Sequence, residues 1–129
     1  VPINLKCVPQ PEFAFIEMSD KMCQRVQFSD IYFVQKVKGD NELAFFERNM
    51  RLDGFGKPVP RKAKKTIKEI VDFLPATEFV QVDQSTLVNM NFIVSFLKRK
   101  IVVSEGPQRS FAVTRSYIKE LRQKLHVFE

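Results

Sequence analysis

The sequence predicts a mostly β protein with short helices, made of antiparallel strands and closed by a C-terminal helix. Three observations predict it. Short β-branched and aromatic runs, such as residues 31–37, recur between turn signals such as Gly39-Asp40-Asn41. Only two stretches place apolar residues at helical spacing. The 129 residues are 44% hydrophobic, enough for one domain with its own core and too few for two full-sized ones.

Each element has a local reason. Residues 1–12 carry Pro2, Pro9 and Pro11 and read as an extended lead-in or linker, leaving 13–129 as the domain. Residues 13–18 form an apolar strand that ends at Ser19-Asp20-Lys21, a turn. Residues 22–28 alternate in the manner of a strand, and Ser29-Asp30 breaks it. Residues 31–37 and 42–49 are strands around the Gly39 turn, so the first third reads as a β-meander. Residues 53–58 are loop chemistry. Ile67, Ile70, Val71 and Leu74 then mark one face of a helix closed by Pro75. Residues 79–82 are a strand, and 85–89 fit no single type. Residues 91–104 read as two strands around the basic turn Lys98-Arg99-Lys100, and Gly106-Pro107 turns the chain again. A last strand, 110–113, leads to Thr114. Thr114 caps a helix with an apolar stripe of Tyr117, Ile118, Leu121 and Leu125. On strand periodicity Phe13, Phe15, Phe33, Phe79 and Phe92 belong to the core.

Charge is divided unevenly. Residues 1–56 hold 7 basic and 8 acidic side chains, whereas residues 57–129 hold 14 basic and 7 acidic. One basic cluster comprises Lys57, Arg61, Lys62, Lys64, Lys65 and Lys68. The other is Lys98, Arg99 and Lys100, followed by Arg109, Arg115, Lys119, Arg122 and Lys124. Such asymmetry points to a polyanionic partner, or to a basic surface that serves solubility.

Several classes are excluded. No apolar run approaches the roughly 20 residues of a membrane span. No secretory leader is visible, and the chain opens on Val1, as expected of a fragment or a processed product. Cys7 and Cys23 read as reduced thiols, and with the single His126 they are too few for a zinc site, so no metal is expected. No glycine-rich phosphate loop or nucleophile elbow occurs, so neither an enzyme nor a cofactor is expected.

Two segments carry a resemblance. One is residues 79–93, with Phe79, Ser85, Leu87, Val88 and Asn89; the other is 111–121, with Val113-Thr114-Arg115. Asp30-Ile31-Tyr32-Phe33 and the Asp72-Phe73-Leu74-Pro75 helix end stand before them in order. Together these resemble the LytTR domain, the DNA-binding domain of LytR/AlgR-type bacterial response regulators. The resemblance implies an elongated, mostly antiparallel β fold that reads duplex DNA from loops. It also implies a cytoplasmic transcription regulator in a two-component system, a homodimer on DNA, and a receiver or sensor domain preceding this chain. No small-molecule substrate is implied.

Carried over by position, the base-contacting residues are Asn41, Gln84 and Arg115. Their chemistry suits base readout, since Arg binds guanine and Asn or Gln binds adenine through paired hydrogen bonds. Lys62, Lys64, Lys65, Lys98, Arg99, Lys100 and Ser85 are the phosphate-contacting candidates. Each has a plainer reading, as turn former, solvated loop residue or surface cation. The chain departs from the family pattern at Gln81, Asp83 and Thr86, where Arg, His and an aromatic are usual. Those changes fit an altered sequence preference, weak binding, or a degenerate domain that serves as a protein-interaction module. A third reading, single-strand or RNA binding, requires exposed phenylalanines gathered beside the lysines.

Overall fold

The structure is a computed structural model that describes residues 11–103 and 109–128. Its strands are β1 (Phe13–Glu17), β2 (Cys23–Gln27), β3 (Ile31–Lys36), β4 (Leu43–Glu47), β5 (Arg51–Leu52), β6 (Pro58–Val59) and β7 (Arg61–Ala63). After helix α1 (Ile67–Phe73) come β8 (Phe79–Asp83), β9 (Thr86–Asn89), β10 (Ile93–Leu97), β11 (Lys100–Val103) and β12 (Arg109–Ala112). Helix α2 (Arg115–Leu125) follows.

The centre is a five-stranded sheet in the order β7-β4-β3-β9-β8, and every pairing in it is antiparallel. Both of its faces are covered, so its middle strands are buried on both sides: β9 is buried throughout and β4 at four of five positions. That explains why residues 85–89 had no readable period. Thr86-Leu87-Val88-Asn89 alternates between two cores rather than between core and water.

One face carries Val34, Leu43, Phe45 and Leu87 and is covered by the β1–β2 hairpin, through Ile16 and Val26, and by α1, through Ile70 and Leu74. The other carries Phe33, Val80, Val82 and Val88. It is covered by the sheet β10-β11-β12, through Ile101, Val103 and Phe111, and by α2, through Leu121. Tyr117, Ile118 and Leu125 pack on that second core as their spacing predicts. α1 is set by a reciprocal cap: Thr66 Oγ1 accepts from the Glu69 N–H, and the Glu69 carboxylate accepts from the Thr66 N–H.

Three expectations need correction. The first third is not one meander, because β1 and β2 form a separate two-stranded sheet while β3 and β4 join the central one. Residues 53–57 are loop as expected, the turn of a small hairpin, β5–β6, which the edge strand β7 follows. Phe33, Phe79 and Phe92 are core, but Phe13 and Phe15 are 37% and 60% exposed. Their strand turns its other side, Ile16, inward. Thr114 precedes α2 as expected, but its side chain makes no capping hydrogen bond. The Gly106-Pro107 turn, Cys7 and the first ten residues of the lead-in lie outside the described residues.

Candidate nucleic-acid interface

Strand register determines which loops meet. The end of β3, Lys36, pairs with Leu43, where β4 starts, and Gln35 pairs with Thr86, where β9 starts. Leu43 also pairs with Ala63, where β7 ends. The β3–β4 turn, the β8–β9 turn and the β7–α1 connection therefore leave from the same end of the sheet. The Lys36 N–H donates to the Ser85 carbonyl at 2.8 Å and ties the first two together. Two more connections join them. The Thr114 N–H donates to the Val82 carbonyl at 2.9 Å, which places the start of α2 beside the end of β8. The Val113 N–H donates to the Arg99 carbonyl at 2.7 Å, which brings in the β10–β11 turn.

Asn41, Gln84 and Arg115 project from three of these five connections, and all three are exposed. Lys64, Lys98, Arg99 and Lys100 are exposed at the same end, and Lys65 and Ser85 are half-buried there. Lys62 lies one row into β7, paired with Ala44, and is exposed. The first turn of α2 holds no acidic residue and no side-chain cap. Its N-terminal partial positive charge thus faces outward with Arg115, an arrangement that suits anions.

The details differ from the plainer readings of these residues. Asn41 does not take the left-handed conformation; Gly39 does, at φ 85°. In the basic turn it is Lys98 that has positive φ, 56°. Asp83 Oδ1 accepts from the Ser85 N–H at 2.7 Å, closing the turn that carries Gln84. Thr86 is fully buried, and its hydroxyl accepts from Gln35 Nε2 at 3.3 Å. Gln81 Nε2 reaches Tyr117 Oη at 3.4 Å, tying β8 to α2. Asn89 is fully buried. Its Nδ2 donates to the Ile31 carbonyl at 3.0 Å and its Oδ1 accepts from the Asn91 N–H at 2.9 Å, so this motif residue holds the fold.

Some cations counted by sequence are structural. Arg61 donates to both oxygens of buried Glu47, at 2.9 and 2.6 Å, and also to Gln24 and the Arg25 carbonyl. That bidentate bond raises the Arg61 pKa above its ordinary value, while burial opposes it. Lys124 donates to the carbonyls of Ala76 and Phe79 at 3.1 and 3.3 Å. Arg109 lies over the rings of Phe33 and Phe46. Linear charge counting has no signal that separates these from the free lysines.

The exposed phenylalanines do not gather among the lysines. Phe55 is at the tip of the β5–β6 hairpin, and the Arg25 guanidinium covers Phe13. Phe15 and Phe73 share a depression with Lys65, but also with Glu17 and Glu69. No group of His, Cys, Asp and Glu among the described residues could hold a metal, and no described helix is long and apolar enough to cross a membrane.

The family model of the LytTr DNA-binding domain matches residues 58–126. Among solved structures, the LytTr DNA-binding domain of a putative methyl-accepting/DNA response regulator from Bacillus cereus superposes with a TM-score of 0.67 at 17% identity. That match covers 92% of this chain and 100% of that one. At that identity the likeness shows a shared fold. No curated protein matches the chain. The family match spans more than half of the residues and includes α1, the Phe79–Asn89 motif and α2, and on that ground the chain belongs to the LytTr DNA-binding domain family.

Proposed function

We propose that this domain binds duplex DNA sequence-specifically, as the output domain of a transcription regulator of the two-component type. Asn41, Gln84 and Arg115 read bases, while Lys62, Lys64, Lys65, Lys98, Arg99, Lys100 and Ser85 contact phosphates. The observation that carries this reading is the convergence of five connections on one end of the sheet. It brings together residues more than 70 positions apart in sequence and presents free cations around three side chains capable of paired hydrogen bonds to base edges. A homodimer on paired sites, a receiver or sensor domain ahead of this chain, and a cytoplasmic setting belong to the same proposal.

The structural roles of Asp83 and Thr86 bear on the alternative of a degenerate interaction module. Thr86 is inside the sheet, so its departure from the family pattern does not alter the surface offered to DNA. Fluorescence anisotropy with a labelled duplex tests the reading. Neutralising about five phosphates gives a slope of log K against log[salt] near −4 to −5. Arg115→Ala weakens specific binding by about 1–3 kcal/mol and relaxes preference at one position, whereas Lys64→Ala weakens all sequences alike and flattens the slope by about one unit. A folded domain with no affinity at low salt would sink the proposal. Identical behaviour of the two variants on specific and scrambled duplexes would remove Arg115 from base readout.

A further inference from the structure

We infer that the DNA-binding end continues past the turns to the end of strands β3, β4 and β7, where Lys36, Lys38 and Lys62 line a depression that takes the phosphodiester backbone of the duplex. This rests on the DNA reading above and extends it to two lysines outside both basic clusters of the sequence.

The depression has a volume of about 460 Å³, with Ala44, Phe46 and Pro60 between the three lysines. No acidic residue lines it. The other described depressions are mixed in sign. The one beside the β1–β2 hairpin sets Asp20, Glu42 and Glu47 against its arginines, and those along α1 include Glu17 and Glu69, or Asp72 and Glu120. Lys36, Lys38 and Lys62 are exposed and have no ion pair among the described residues. Each is exposed without an internal partner, the condition under which an external polyanion supplies the missing charge.

Register connects this depression to the base-reading turns. Lys62 pairs with Ala44, Ala44 with Gln35, and Gln35 with Thr86, so one row runs from the β7 edge toward the turn that carries Gln84. The Lys36 backbone closes the gap, since its N–H is bonded to the Ser85 carbonyl. Ala44 is the smallest side chain of that row, and it leaves room for a backbone to approach between long, flexible lysines. Lysine serves as a point charge for phosphate and needs no fixed fork geometry. Arg109 lies over Phe33 and over Phe46, which lines the depression. A phosphodiester of DNA and a free phosphate share the chemistry these lysines recognise; continuity with the reading loops favours DNA.

The test compares two double variants of the full chain that lose equal charge. Lys36→Gln/Lys38→Gln alters the depression. Arg51→Gln/Lys57→Gln alters the β5–β6 hairpin, which follows β4 and precedes β7 and so leaves the opposite end of the sheet. Circular dichroism establishes that both are folded. The first double should lower the magnitude of the salt slope by about two units, on specific and scrambled duplexes alike, and the second should leave the slope unchanged. Equal shifts in both doubles would mean that only net charge matters, and no shift in the first would mean no contact; either overturns the inference while leaving the domain a DNA binder. Pyrophosphate at matched ionic strength supplies the other arm. If the first double loses pyrophosphate binding while its DNA salt slope stays that of the wild type, the depression is a site for free phosphate and the inference fails. A wild type that binds no duplex at all would overturn the underlying reading as well.

Discussion

Asp83 shows how a single residue can hold two roles that sequence cannot separate. Position in the motif puts its charge beside Gln84 and near expected phosphates, and the structure adds that its carboxylate closes the Gln84 turn through the Ser85 N–H. Asp83→Asn keeps an acceptor oxygen for that bond and removes the charge. Its expected effect is tighter DNA binding by about 1 kcal/mol at low salt, fading as salt rises, because charges near a surface are screened. Anisotropy across a salt series checks this; unchanged affinity in a folded variant would place Asp83 away from DNA. Arg61 is the opposite case, a cation that belongs to the fold. Arg61→Ala strands Glu47, which is 6% exposed. The loss of stability should be about 3 kcal/mol, at the low end for breaking a buried pair, since the guanidinium remains partly in contact with water. Urea denaturation measures it, and a loss below the scatter of surface variants would contradict the assignment.

At the scale of elements, α1 explains how a helix of 7 residues with lysines around its start persists. Cations at a helix N-terminus are slightly unfavourable, and the Thr66–Glu69 box offsets this by occupying N-terminal N–H groups. The Thr66 N–H, then its hydroxyl, hold the Glu69 carboxyl below its usual range. A carboxyl whose pKa is lowered on folding contributes stability that is fully present above its unfolded value. That contribution is lost as pH falls through the lowered folded value. Thr66→Ala removes the side-chain acceptor of the cap and should cost about 1 kcal/mol at neutral pH. The gap between wild type and Glu69→Ala should close in acid, below the ordinary glutamate range. Denaturant midpoints measured from neutral to acidic pH would show it, and a gap that persisted unchanged in acid would contradict the cap's ionic part. The two helices were legible because each covers one face of the sheet and keeps its other side in water, which preserves the 3.6-residue period. β9 was not, since strands with two covered faces lose the alternation that marks them.

Across the whole molecule, one sheet separates two cores, and the connections that carry the proposed site lie at its end. Amides buried in β3, β4 and β9 should exchange most slowly, and those in the turns most quickly. Adding a specific duplex should slow exchange at residues 37–42, 84–85, 98–99 and 113–115 while leaving the β5–β6 hairpin unchanged. Hydrogen-exchange mass spectrometry gives this footprint directly. Protection confined to the hairpin would relocate the interface to the other end of the sheet.

Local patterns in the chain were sufficient to determine several things. Turn residues, alternation and helical spacing depend on neighbours within a few positions, so most strands, both helices and the basic turn at Lys98 were legible. The ordered motifs from Asp30 to Arg115 were sufficient for the family. Only the tertiary structure decided which cations are free. Arg61, Lys124 and Lys62 look alike along the chain, yet the first two are bound to groups 14 and more than 40 residues away. Lys36 and Lys38 drew no attention in sequence because they sit in the half of the chain with a net charge near zero, yet in the fold they line one depression with Lys62. Charge clusters in space are set by strand register, and register joins residues whose separation along the chain carries no local signal.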